Sequence, residues 1–158
     1  MNWSSLGIWG FAATVVLTTL LAGSRAMGWT RMDIPFLLGT AFTHNRDRAK
    51  WVGALIHILN GWIFAFVYIA AFENLGIATA WFGALIGLVH SLFVLTVGMT
   101  ILPSFHPRMA SEEDGPRPTR MLEPPGFLAL HYGKQTPIAT ILSHLIYGAI
   151  LGHFYILI

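Results

Sequence analysis

Four stretches of this chain carry no Asp, Glu, Lys or Arg: Met1 to Ser24, Trp51 to Phe72, Asn74 to Pro107 and Thr136 to Ile158. Each reaches or exceeds the roughly 20 apolar residues that a helix needs to cross a bilayer. Backbone groups in hydrocarbon must pair within their own segment, so the stretches predict four transmembrane helices, at about 6–26, 51–72, 79–102 and 137–157. A buried soluble bundle would need polar outer faces at helical period, and none is present. The 158 residues then form one domain, an all-α integral membrane protein built as two helical hairpins. Composition agrees, with 10% charged residues against about 25% in ordinary soluble domains.

The nine Lys and Arg residues lie only in the first and third connections: Arg25, Arg31, Arg46, Arg48, Lys50, Arg108, Arg117, Arg120 and Lys134. By the positive-inside rule these loops face the cytoplasm of a bacterial inner membrane, and both termini and the second loop face out. Topology and anionic headgroups account for the basic residues, and no nucleic-acid partner is implied. Trp3, Trp9 and Trp81 fall at the outer interface and Trp29 and Trp51 at the inner one, whereas Trp62 is mid-helix. The first stretch lacks a basic start, so a retained helix is expected rather than a signal peptide. There is no cysteine, hence no thiolate ligand or thiol nucleophile.

In the first connection, "MDIPFLLGTAF" places Asp33 and Pro35 before an apolar run, the pattern of a capped short helix lying along the inner interface. The third connection divides. "HPRMASEEDGPRPTR" predicts a solvated, mobile loop at about 104–122. "LEPPGFLALHYG" predicts a second interfacial helix, with Glu123 and Pro125 in the places of Asp33 and Pro35.

An offset of 87 residues superposes His44 on His131, His57 on His144, Gly61 on Gly148 and Tyr68 on Tyr155. This predicts two parallel repeats related by an axis along the bilayer normal. Steps of four and eleven residues return near the same helix azimuth, so each repeat carries a stripe of His, Gly and Tyr. Lipid offers such a stripe no hydrogen-bond partner, and it is expected to face protein. Gly61 and Gly148, with the pairs Gly83/Gly87 and Gly148/Gly152, supply small surfaces for close helix packing.

His57, His90 and His144 lie inside the spans, where ionisable residues mark candidate sites. His57 and His144 are expected to point into the bundle as neutral imidazoles. Facing each other, they would suit haem b or a transition metal, with Arg46, Arg48 or Arg25 level with haem propionates. The plainer role is helix pinning, with His57 pairing to Thr14, Thr18 or Thr19. Counted from the inner end of its helix, His90 lies about 18 Å deep and His57 about 9 Å. His90 is therefore expected beside Asn60, Trp62 or Phe64, not with the other two. His153 falls on the opposite face near the outer end. Glu73, the sole charge on the outer side, reads as a solvated interface residue. No paired carboxylates, Ser/His/Asp set, HExxH or phosphate-binding Gly loop is present, so catalysis has no evident carrier.

At "GFAATVVLTTLLAGSRAMGWTRMDIPFLLGT" and "HILNGWIFAFVYIAAF" the chain resembles small bacterial inner-membrane proteins of the YagU-like sort. The resemblance implies a four-helix membrane fold and brings no activity or site. Three functions compete. The first is a non-catalytic accessory or assembly subunit that packs against other membrane subunits or itself. The second is a haem or metal carrier using His57 and His144. The third is a small transporter or channel along the stripes.

Overall fold

The computed structural model describes residues 1–158 and is all-helical. Four helices are long and apolar enough to cross a membrane: Trp3–Ala26 (α1), Arg46–Leu75 (α3), Ala80–Phe105 and Thr136–Phe154 (α6). The third comprises α4 (Ala80–Phe93), a π-helical turn (Val94–Gly98) and α5 (Met99–Phe105). Their outer faces are apolar, with Trp51, Trp81, Ile63 and Val89 all exposed. Such a surface is compatible with lipid as the surrounding solvent.

Side-chain caps fix the helix starts. Asn2 accepts from the Ser5 amide, and Asn45 from those of Asp47 and Arg48. Thr79 accepts from the Phe82 amide. Each satisfies orphan donors of a first turn. Because Asn45 caps α3, the charged turn from Arg46 to Lys50 is helical, and α3 begins five residues before the expected 51. Gly76 ends α3 in the left-handed region at φ 66°. Asp33 caps α2 (Ile34–Thr40) by accepting from the Phe36 amide, with Pro35 in the first turn, as the sequence predicts. A turn of π-helix widens the third span just before Pro103, which cannot donate a backbone hydrogen bond.

Glycines set the packing. The backbones of α4 and α6 touch: a Cβ at Gly83 would overlap the Gly148 carbonyl, and one at Gly87 the His144 carbonyl. Gly152 lies equally close to Thr79. Helix α2 rests on the first half of α3 the same way, Gly39 against Ala49 and Gly53 against Pro35. Gly61 faces Thr14 of α1. Helix α1 packs along both α3 and α6, whereas α3 and α4 approach each other without extensive backbone contact. The core gathers inside this arrangement around Leu17, Tyr68, Ile69, Phe72, Tyr147 and Leu151.

The third connection differs from its expectation. Segment 104–122 is fastened at both ends: Met109 and Ala110 are buried, and the Arg120 Nε donates to the Met109 carbonyl at 2.6 Å. The longest exposed run lies between them, from Glu112 to Thr119 and interrupted only by half-buried Gly115, and Phe105 and Met121 are exposed on either side. "LEPPGFLALHYG" forms no α-helix. Phe127–Tyr132 is a 3-10 turn in which Leu128 and Ala129 adopt left-handed φ of 55° and 57°. Glu123 does not cap it as Asp33 caps α2. Its carboxylate instead accepts two bonds from Arg31, at 2.8 and 3.0 Å. At the other end of the molecule, Glu73 is not simply solvated. It accepts the Tyr155 hydroxyl proton.

Candidate functional site

The gap between α3 and the third span holds a cavity of about 190 Å3. Its back wall is Thr14, Leu17 and Leu21 of α1 and Thr140, His144 and Tyr147 of α6, all buried. Ile34, Leu37 and Leu38 of α2 close one end. On the α3 and third-span edges, Asn60, Phe64, His90, Val94 and Gly98 are only half-buried. The cavity therefore opens along the seam between those two helices, beside the π-helical turn.

His57, His90 and His144 all line it. His144 Nδ1 lies 2.8 Å from the Thr140 carbonyl, which can only accept, so Nδ1 carries the proton. Thr18 Oγ1 donates to the Thr14 carbonyl at 2.7 Å, which leaves it to accept from His57 Nδ1 at 3.1 Å. In a neutral ring, both assignments leave Nε2 with its lone pair. The Tyr68 hydroxyl lies 3.1 Å from His90 Nδ1 and has no carbonyl partner for its proton. It donates, and His90 Nε2 then bears hydrogen. None of the three Nε2 atoms meets a protein group, nor does the Asn60 amide. Thr140 Oγ1 is the one fully occluded side-chain polar atom without a partner.

The expectation that His90 stays apart from His144 is corrected. Their rings meet edge to face with centroids 4.7 Å apart, and His90 also lies against Phe64, as expected, with centroids 3.9 Å apart and the rings tilted by 30°. Gly87 brings the α4 backbone against that of His144, and His90, three residues on, lands beside the imidazole. Of the three threonines offered to His57, Thr18 is its partner. Arg46 and Arg48 do not reach the cavity: Arg46 lies over the Phe36 ring at 4.8 Å and Arg48 is exposed. Arg25 instead borders a separate space of about 60 Å3 with Asp33, Thr18 and His57. Gly61 lines the cavity, while Gly83, Gly87, Gly148, Gly152, Tyr68 and Tyr155 serve the surrounding packing. Trp62 donates to the Gly7 carbonyl at 2.9 Å.

Sequence reasoning passed over Thr140 and Tyr147. They stand four residues before and three after His144, and helical spacing alone puts them on its face. No group of three or more His, Asp or Glu side chains is arranged to hold a metal ion. The cavity is also smaller than the roughly 300–1,000 Å3 of drug-sized sites, which leaves little room for a macrocycle such as haem. Comparison of the chain with family models, curated proteins and solved structures finds no match.

Proposed function

We propose that this chain is a non-catalytic, multi-pass protein of the bacterial inner membrane that binds a small membrane-soluble molecule between α3 and α4, as an accessory or carrier subunit. The observation that carries the reading is the cavity itself: apolar walls, a few convergent polar groups and a half-open seam at membrane depth. Neither a carboxylate nor an evident nucleophile lines it, which favours binding over catalysis or ion coupling. Membership of a larger assembly fits the broad apolar exterior.

The orientation that goes with this reading has loops one and three in the cytoplasm and both ends outside, on the strength of the basic-residue distribution. The two hairpins are read as a repeat. Support comes from Gly61 packing on helix one of the first hairpin as Gly148 packs on helix one of the second. The symmetry is incomplete, because the α1–α6 contact has no equivalent between α3 and α4. That missing contact is where the cavity lies.

The test is to purify the protein in nanodiscs and identify co-purifying small molecules by native mass spectrometry, beside a Val94→Trp variant that fills the cavity. A stoichiometric molecule present in the parent and lost in the variant is expected. Identical spectra from two folded proteins would refute the reading.

A further inference from the structure

We propose that the cavity accepts a single aromatic ring bearing a hydroxyl group, a phenol or hydroquinone, whose hydroxyl donates to the free Nε2 of His57 or His144. The inference rests on the reading above, that the cavity binds a membrane-soluble molecule, and specifies that molecule's chemistry.

Size comes first. Cavities of about 150 Å3 with apolar walls admit benzene. A space of about 190 Å3 suits one substituted ring, and the open seam lets any apolar tail leave between α3 and the third span. The walls offer Phe64 and Tyr147 for ring contact.

Polarity then narrows the class. His57 and His144 have committed their Nδ1 protons to Thr18 and Thr140, so each presents an acceptor. His90 presents a donor, because the Tyr68 hydroxyl occupies its Nδ1. A hydroxyl satisfies both kinds of group at once, whereas a hydrocarbon satisfies neither and an ether or ketone leaves both acceptors unpaired.

Fluorine NMR of the full chain in nanodiscs tests this with 4-fluorophenol and 4-fluoroanisole, in which a methyl group replaces the hydroxyl hydrogen. The phenol should give a saturable bound signal, and the anisole should bind at least about tenfold more weakly, the scale of one buried acceptor left unpaired. In His57→Leu and His144→Leu that preference should fall several-fold, whereas Thr140→Val, which preserves shape and removes an occluded hydroxyl that bonds nothing in the protein, should leave it unchanged and fold at least as stably as the parent. Equal affinity for the two probes would overturn hydroxyl selection and leave the binding site standing. An unchanged preference in both histidine variants, with folding intact, would overturn the assignment to these residues. Saturable binding of neither probe would overturn the ligand class, and together with parent and Val94→Trp spectra that do not differ it would remove the binding reading too.

Discussion

His90 and His144 meet edge to face, with ring planes at 86°, on two helices whose backbones touch one turn away at Gly87. The contact joins a hydrogen-bonded set: Tyr68 to His90 on one side, and His144 to Thr140 on the other. His90→Leu should strand the Tyr68 hydroxyl, whose residue is 1% exposed, at a cost of about 1–3 kcal/mol. His90→Gln retains an acceptor and should cost clearly less. Unfolding in detergent measures both, and equal losses would show that the Tyr68 bond contributes nothing.

Glycine substitutions should separate packing from mere helix propensity. Gly148→Ala pushes a methyl group into the Gly83 carbonyl and should destabilise by at least about 2 kcal/mol. Gly7 has nothing within 4 Å of its would-be Cβ, so Gly7→Ala should gain about 0.5–1 kcal/mol. Similar shifts for the two variants in the same unfolding assay would contradict the close α4–α6 contact.

A pH response follows from His106, which is 3% exposed at the end of the third span. Its Nε2–H donates to the Leu37 carbonyl at 3.0 Å, and its Nδ1 accepts the Arg108 amide at 3.2 Å. Thr40 also lies 3.4 Å from Nε2, and Arg108 and Arg120 face it as cations. Burial, opposed by the Leu37 bond and aided by the two arginines, holds its pKa below the ordinary histidine range. The unfolded chain therefore binds this proton more readily than the folded one. Stability should be full above about pH 6.5 and fall as pH drops below it. His106→Gln, which can still donate to Leu37, should flatten that dependence in thermal melts between pH 5 and 8. A slope unchanged in the variant would assign the response elsewhere.

Because the chain lacks cysteine, single-cysteine labelling can test its orientation directly. Ser4→Cys should react with an impermeant maleimide in cells whose outer barrier is opened, and Thr119→Cys only after the inner membrane is broken. Both positions are exposed, so access is not limited by folding. Equal early labelling of both would overturn the assignment.

The spans were legible because hydrocarbon enforces a simple rule: Trp51 to Phe72 has no charge and nowhere else to be. The small-residue contacts at Gly83, Gly87, Gly148 and Gly152 were legible for a related reason, since Gly repeated every four residues leaves a groove. Helix ends were less so. Charge marked the start of α3 at 51, but Asn45 decided it by capping. The π-helical turn left only Gly98 and Pro103 as local hints. The left-handed pair Leu128 and Ala129 gave none, because their conformation is imposed by surroundings and opposed by their own side chains. His90 was misplaced because depth along an axis says nothing about how closely two helices approach. Thr140 was passed over because a threonine in a helix ordinarily bonds its own backbone.

The backbone contacts of Gly39 with Ala49 and of Gly53 with Pro35 lock α2 beneath the cavity. Moving α2 aside would break both at once, so the route that needs no rearrangement is sideways, between α3 and the third span. On the binding reading, a lateral route sets how fast the site fills, by the molecule's abundance in the surrounding leaflet, while equilibrium occupancy follows its chemical potential, which lipid and water share. A compound that is scarce in water but enriched in lipid would reach such a site faster than one confined to water. The rate of exchange would then respond to changes in bilayer composition even while the aqueous phase stays constant.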